Sequence, residues 1–198
     1  MERGLGYYVR KGLGGSPTAT RRMAGTARTA GALYNVLQSM AAGQPPTADL
    51  NPAALRGQPP KAIGDRIINT ILPSDGTQDA EANRQALANA LSDMLETFPD
   101  ADLTALTPQE IECWVEHFLG HSICHRIFLD VGKAIESKAP STDIAVRRFD
   151  EMRDYVLATV AARAEAMRER GQHWTTAMAD RFAARLVRET LDIFEEFH

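Results

Sequence analysis

The sequence predicts an all-α protein, a bundle of several long helices with one proline-rich connector. Three observations support this fold class. The 198 residues are 44% hydrophobic but only 7% aromatic, so much of the core must consist of alanine and aliphatic side chains, and alanine-rich chains favour helix. Apolar residues recur with a period near 3.6 along most of the chain. No segment shows the convincing alternation of apolar and polar residues expected of a strand.

The N-terminal segment predicts two helices separated by a glycine-rich turn. Residues 3–11 form the first helix, which the glycines of 12–15 end. Ser16 is a candidate N-cap with Pro17 at the first helical position, so a second helix is expected to run to about Ala42. Its inner stripe has a helical period, and small residues beside the stripe allow another helix to approach closely. The stripe comprises Met23, Ala27, Ala30, Tyr34, Leu37 and Ala41; the small residues are Gly25, Ala27, Gly31 and Ala32.

Residues 43–61 form the proline-rich connector. Asn51-Pro52 is typical of the start of one short helical turn. A modest helix follows from about Pro60 to Leu72, with a strand over Ile67–Leu72 as the alternative. The isoleucines expected to face inward are Ile63, Ile67, Ile68 and Ile71.

Four helices are expected in the rest of the chain. The turn at Pro73–Gly76 leads to Thr77, which caps a helix to about Phe98. Thr107-Pro108-Gln109-Glu110 is a capping box that starts a helix to Lys138, with irregularities expected at Gly120 and Gly132. Pro140-Ser141-Thr142-Asp143 breaks that helix and caps the next, which runs to Arg170 and ends at Gly171, and Thr175 opens the last one. The expected inner residues are Ala80, Leu87, Leu91, Met94 and Leu95, then Ala145, Phe149, Met152, Val156, Thr159 and Val160, then Phe182, Leu186, Val187, Leu191 and Phe194.

The distribution of charge is more informative than the net charge of −4. Residues 1–30 carry six basic side chains against Glu2 alone, so the remaining residues carry a net charge of −9. We therefore divide the chain into basic N-terminal helices (1–42), the connector (43–61) and an acidic helical body (62–198), within one expected domain. A basic head on an acidic body suggests an acidic partner surface or nucleic acid, with a solvated helix face as the alternative. The candidate partner-binding residues are Arg10, Lys11, Arg21, Arg22 and Arg28.

Composition also excludes some classes of protein. Cys113 and Cys124 lie eleven positions apart on one expected helix, about 16 Å along its axis, which is too far for a disulfide. Free cysteines fit a reducing cytoplasm, where we expect the protein to reside. No run of about 18 apolar residues could span a membrane, and Met1-Glu2-Arg3 does not begin a secretory signal.

The strongest cluster of chemically capable side chains lies on the helix predicted over 108–138. Cys113, His117, His121, Cys124 and His125 fall within about 120° of one helix face, and their types suit zinc. His117 and His121 have the spacing of two imidazoles that share a metal, but the glutamate of a metalloprotease helix is missing between them. Because one helix rarely supplies four ligands, we expect no metal, with Cys113, His117 and His121 as weak candidates. The alternative is a packed or exposed face of thiols and imidazoles.

The glycines before Ser16 are the other candidate site. A helix start preceded by glycines can bind an anion, and Arg21 and Arg22 lie one turn away. The segment is neither a P-loop nor a dinucleotide fingerprint, since it has no preceding strand and no Gly-Lys-Ser/Thr. A tight turn between helices and a docking point for an acidic or phosphate-bearing partner therefore both remain open.

Other polar and aromatic residues carry no catalytic pattern. The acid pairs Glu195-Glu196 and Asp150-Glu151 are expected on solvated faces, and Trp114 and Trp174 are expected to anchor a core or an interface. No serine–histidine–aspartate set has a supporting local motif. We expect neither enzymatic activity nor a cofactor.

Three segments resemble the conserved body of the QatB family of Qat anti-phage defence systems. The first is the basic, glycine- and alanine-rich stretch from Gly4 to Tyr34, the second is Asp75–Glu81 and the third is Leu129–Pro140. Together they span most of the chain. The resemblance is specific for the family and identifies no reaction.

The resemblance implies a non-enzymatic component of a defence complex. Qat systems combine an ATPase, a QatB protein, a QueC-like enzyme and a TatD-like nuclease, and QatB-like proteins are expected to dock to the QueC-like member. Related QueC-like enzymes attach a deazapurine to the N-terminal glycine of a partner, so a QatB-like protein would be the acceptor. QatB-like proteins typically begin with Met-Gly and a flexible tail, whereas Met1 is followed here by Glu2-Arg3. We therefore expect the chain to be the folded C-terminal body without the acceptor end. The alternatives are a nucleic-acid-binding helical module and a metal-binding helical protein.

Overall fold

The computed structural model of the protein describes residues 2–73, 78–138 and 141–196. These residues form nine α-helices and no strand, which confirms the predicted all-α fold. A π-helical turn (Tyr8–Gly12) and a short 3₁₀ helix (Ala48–Leu50) complete the described elements. The α-helices are α1 (Glu2–Tyr7), α2 (Ser16–Arg22), α3 (Ala24–Ala41), α4 (Pro52–Leu55), α5 (Pro60–Ile71), α6 (Gln78–Thr97), α7 (Pro108–Lys138), α8 (Thr142–Glu169) and α9 (Ala179–Glu196).

Helices α7 and α9 organise the packing. Helix α7 contacts α3, α6 and α8, and α9 lies against α1, α2, α3 and α8. Their buried side chains belong to one apolar cluster that extends from Leu5 to Phe194. The basic N-terminal helices are thus packed on the acidic body, because α9 brings the end of the chain back to its beginning.

The beginning of the chain differs from the prediction in three ways. The helix expected over 3–11 changes to a π-helical turn at Tyr8, whose hydroxyl reaches Asp130 of α7 at 2.5 Å. Ser16 is not the N-cap but the first helical residue, because the capping position belongs to Gly15 with φ at 86°, a conformation that glycine adopts at little cost. The helix expected to run unbroken to Ala42 is interrupted at Met23, so that α2 packs on α9 while α3 packs on both α7 and α9.

Two glycines mark close contacts between helices. Gly31 of α3 lies so near Asp180 of α9 that a Cβ atom would overlap the aspartate carboxylate and sit 2.9 Å from its backbone nitrogen. Gly120 of α7 faces Leu157 of α8 in the same manner. The irregularities predicted at Gly120 and Gly132 are wrong, since α7 continues through both positions.

Several helix boundaries follow their local signals. The capping box is confirmed, with Glu110 Oε2 accepting from the Thr107 amide at 2.6 Å. The Ser141 hydroxyl caps α8 by accepting from the Ile144 amide at 3.3 Å, and the short turn at Asn51-Pro52 is helix α4. The alternative of a strand over Ile67–Leu72 is wrong because residues 67–71 belong to α5 and Leu72 is its C-cap. The predicted cap at Thr77 lies outside the described residues.

The start of the last helix was predicted four residues too early. Helix α9 begins at Ala179 rather than at Thr175, which instead accepts from the Met178 amide at 3.0 Å in a turn. The preceding Trp174 is buried, and its carbonyl accepts from the Tyr34 hydroxyl at 3.2 Å. This tertiary anchor holds the backbone before α9 out of the helix.

Candidate functional site

The glycine-rich turn and the helix that follows it form the first candidate site. The start of α2 points its amides at the end of α9, where Glu195 Oε2 accepts from the Ser16 amide at 2.9 Å and from the Ser16 hydroxyl. Both hydrogen bonds lower the pKa of the Glu195 carboxyl, and the bond from the hydroxyl has the larger effect. Of the two alternatives left open for this helix start, the tight turn and the docking point, the structure shows a turn whose anion position is filled by the protein's own carboxylate.

This arrangement corrects the prediction for Glu195-Glu196. Glu195 does not lie on a solvated face, since its side chain caps α2 and its carbonyl accepts from Arg10 Nη1 at 2.6 Å. Glu196 is exposed, as predicted. The second acid pair also lies on the surface, where Asp150 pairs with Arg153 at 3.1 Å.

The five candidate partner-binding residues divide into two groups. Arg10 is half-buried and bound to the end of α9. Lys11, Arg21, Arg22 and Arg28 are exposed. Arg21 makes one local hydrogen bond, to Thr18 Oγ1 at 3.2 Å. The exposed group gives the N-terminal helices a basic surface, and Arg10 helps to fix those helices to α9.

Exposed apolar side chains lie on both α7 and α1. Phe128 and Leu129 of α7 are 44% and 45% exposed, and Tyr7 of α1 is 66% exposed. The bond between Tyr8 and Asp130 places α1 beside this part of α7. Exposed aromatic and aliphatic side chains with neighbouring arginines are typical of protein interfaces.

The predicted face of cysteines and histidines is divided among different environments. Asp93 of α6 joins two of its members, with Oδ2 lying 2.7 Å from His121 Nε2 and 3.2 Å from His117 Nδ1. Burial is the main cause that raises the pKa of Cys113 to about 11 and that of Cys124 to about 12. Both thiols are therefore protonated at neutral pH, which disfavours metal binding and nucleophilic attack.

His125 is the fifth member of this face, and its environment differs from that of its neighbours. Burial, helped by the nearby His121, lowers the pKa of His125, so its imidazole is neutral at physiological pH. Within the described ranges, no three His, Cys, Asp or Glu side chains come together in a geometry that could hold a metal ion.

A buried ionic network was not predicted from the sequence. Glu116 of α7 is 7% exposed, and its Oε1 accepts from Arg168 Nη1 at 2.6 Å and from Trp174 Nε1 at 3.3 Å. Burial outweighs the attraction of Arg168 and raises the pKa of Glu116 to about 7. The sequence contains one signal of this network, a glutamate within the apolar run around Trp114, Val115 and Phe118.

The two tryptophans are core anchors, as predicted. Trp114 is fully buried and donates to the Leu87 carbonyl at 3.2 Å. Trp174 stacks on Tyr34 with ring centroids 5.4 Å apart and packs against Phe182 at 4.3 Å. Because Trp174 also donates to Glu116, it joins the ionic network to α3 and α9.

The family to which the chain belongs is established by a sequence comparison. The model of the family described as "Qat anti-phage system associated protein QatB" matches residues 14–194. The chain belongs to the QatB family. The matched region begins in the glycine-rich turn, includes Ser16 and ends within α9 at Phe194, one residue before Glu195. No curated protein and no solved structure matches the chain.

Membership of the QatB family makes this chain a component of a Qat anti-phage defence system. Such a component works within a system of several proteins. In the part of the chain that the structure describes, none of the helices combines the length and the apolar character needed to cross a membrane.

Proposed function

We propose that this QatB-family chain is a non-enzymatic docking component of its defence system, and that it binds the QueC-like enzyme. The observation that carries this proposal is the exposed basic surface of Lys11, Arg21, Arg22 and Arg28, held on an acidic body by the contact of Ser16 with Glu195. The contact fixes the position of the basic helices, so a partner meets a surface that is already ordered. Preorganisation of this kind reduces the entropic cost of association.

The titratable groups in the described residues support a binding role rather than catalysis. The thiols of Cys113 and Cys124 are protonated at neutral pH, and Asp93 engages both His117 and His121. Glu116 has a pKa near 7 but lies in the core beside Arg168 and Trp174. A buried group of this kind cannot meet a substrate without a change in the fold.

The docking role extends to the reaction that the QueC-like partner catalyses. QueC-like enzymes activate a carboxylate, and the related defence enzymes join the deazapurine product to the N-terminal glycine of a protein. We therefore propose that the QatB-family member of this system is the acceptor and that the described helices deliver its amino terminus to the enzyme. Intact mass analysis of this protein, co-produced with active or inactive QueC-like enzyme, tests this step. A deazapurine adduct on the N-terminal glycine should appear only with the active enzyme.

Docking is tested by measuring affinity for the purified QueC-like enzyme at increasing salt. Lys11→Glu combined with Arg28→Glu should weaken binding, because both residues are exposed and basic. The control is Arg66→Glu, which makes the same kind of charge reversal at one exposed position of α5, outside the basic surface. Equal affinity for the double variant and the control would exclude the basic surface as the docking site.

Nucleic acid is the second candidate partner, because the same four exposed basic residues could contact phosphates. Binding of that kind loses affinity steeply with rising salt, and the slope reports the number of neutralised phosphates. Titration of short DNA and RNA separates the two candidates. A flat titration at low salt would remove this alternative and leave protein docking.

A further inference from the structure

A small cavity with a polar wall lies where the beginning of α3 meets α6 and α7. Its volume is about 140 Å³. It is distinct from the start of α2, which Glu195 fills. The polar residues of its wall are Arg22, Thr26, Asn83, Ser122, His125 and Arg126.

Ser122 is the residue that points to a ligand. Its side chain is on α7, 6% exposed, and within the described residues its hydroxyl has no hydrogen-bond partner. A serine in a helix usually returns its hydroxyl to the carbonyl four residues earlier, and a buried hydroxyl with no partner destabilises the protein. The Ser122 hydroxyl instead lines the cavity, where a bound acceptor would satisfy it.

Two guanidinium groups give the cavity a positive charge. Arg22 is exposed at its edge, and no acidic side chain pairs with it among the residues that the structure describes. Arg126 Nε lies 3.3 Å from Asp130 Oδ2 but is buried without a hydrogen-bond acceptor. The Asp130 carboxylate is outside the cavity wall and accepts from the Tyr8 hydroxyl at 2.5 Å. The Arg126 guanidinium has five N–H donors, of which its neighbours Tyr8 and Asp130 engage only some.

The remaining wall also favours an anion. Gly25 and Thr26 belong to the first turn of α3, which is 18 residues long, and a helix start carries partial positive charge and amide donors. His125 is neutral, so it can donate one hydrogen bond without adding charge. Among the residues that the structure describes, no carboxylate is part of the wall. Arginine, hydroxyl and helix-start donors together suit the oxygens of a phosphate group.

We propose that this cavity binds the phosphate of a phosphate monoester, with Arg22 and Arg126 pairing with its oxygens and the Ser122 hydroxyl donating to it. A volume of about 140 Å³ accepts a single phosphate group, and it is smaller than the several hundred Å³ typical of a pocket for a whole drug-sized ligand. The rest of the ligand therefore extends into solvent. A terminal phosphate suits this geometry better than the internal phosphates of a nucleic-acid strand.

The protein is titrated separately with inorganic phosphate, a nucleoside 5′-monophosphate and the matching nucleoside. NMR chemical shifts of the backbone amides report binding. Phosphate and the monophosphate should bind saturably, with shifts at Thr26, Ser122 and Arg126, and the nucleoside should not bind. Tighter binding of the monophosphate than of phosphate would identify a nucleotide as the ligand. Equal affinity would identify free phosphate.

Neighbouring arginines provide a matched control. Arg22→Ala, Arg126→Ala and Ser122→Ala should each weaken phosphate binding, the arginine variants by about tenfold, the effect expected for the loss of a hydrogen bond to a charged group. Arg21→Ala removes the same charge from the adjacent residue, which is outside the cavity wall, and should leave the affinity nearly unchanged. Equal losses for Arg21→Ala and Arg22→Ala, or no saturable binding at millimolar phosphate, would overturn the proposal. Arg21 and Arg22 are both exposed, so neither Arg21→Ala nor Arg22→Ala requires the core to repack.

Discussion

The carboxylate of Glu195 accepts hydrogen bonds from both the amide and the hydroxyl of Ser16, residues 179 positions apart. The last helix thereby satisfies the donors at the start of α2. Arg10 adds a third link, because its Nη1 donates to the Glu195 carbonyl. The end of the acidic body thus holds the basic N-terminal helices in place.

Glu195→Gln should destabilise the protein by up to about 1 kcal/mol, because glutamine keeps an acceptor oxygen for Ser16 but loses the charge that strengthens both hydrogen bonds and favours a helix start. Because the pKa of Glu195 is lowered in the folded state, its stabilisation is present above the ordinary carboxyl pKa and is lost as the pH falls through the folded value. The difference between the two proteins should therefore shrink in acid. Urea unfolding at several pH values measures it, with Glu196→Gln as the exposed control. Equal effects of the two substitutions would contradict the capping role.

Glu116 should make the protein less stable as the pH rises. Its pKa is raised to about 7 by burial, so the folded state holds a proton that the unfolded state has released between about pH 4.5 and 7. The free energy of unfolding should fall across this window by an amount on the order of 3 kcal/mol at most. Glu116→Gln should remove this pH dependence.

The control for that measurement is Glu112→Gln. Glu112 contacts the same Arg168 Nη1, at 3.2 Å, but is less buried than Glu116. The pH dependence should survive this substitution. If the pH dependence of the free energy of unfolding persisted in Glu116→Gln, another titratable group would be its source.

Gly31→Ala should destabilise the contact of α3 with α9. A Cβ atom at Gly31 overlaps the Asp180 carboxylate and approaches its backbone, so the helices must move apart. Overpacking of this kind costs about 1–3 kcal/mol. At Gly25, the nearest atom to an added Cβ is the flexible Arg28 guanidinium at 4.0 Å, so Gly25→Ala should be neutral or slightly stabilising. A thermal unfolding series in which both variants behave alike would refute this account of the interface.

Treatment with EDTA should leave the melting temperature unchanged. His117 and His121 both contact Asp93, and the cysteine thiols are protonated at neutral pH. Asp93→Asn should instead lower the melting temperature, because asparagine offers the two imidazoles an uncharged side chain with one acceptor oxygen in place of the carboxylate that they share. A fall in melting temperature with EDTA that added zinc reverses would revive the metal hypothesis.

The parts of the fold that could be predicted depend on local interactions. Thr107 and Glu110 are three residues apart, so their capping box is visible in the sequence and is present in the structure. The apolar stripe of α9 likewise identifies its buried face, since Phe182, Leu186, Val187, Leu191 and Phe194 are all buried. Helical periodicity records such contacts directly.

The parts that could not be predicted depend on residues far apart in the chain. Ser16 resembles an N-cap locally, yet Glu195 determines its role. The start of α9 is displaced by the burial of Trp174 against Tyr34, 140 residues away. The same holds for the Glu116–Arg168 pair and for Ser122 in the cavity, whose environments are created by helix packing alone.

Co-production of the tagged chain with the QueC-like protein of its own system tests the central claim most directly. Affinity capture should be followed by size-exclusion chromatography with mass determination at low and moderate salt. We expect a stable complex of defined stoichiometry that Lys11→Glu with Arg28→Glu weakens and Arg66→Glu does not. Absence of a complex at both salt concentrations, with each protein folded, would contradict the docking role of these helices.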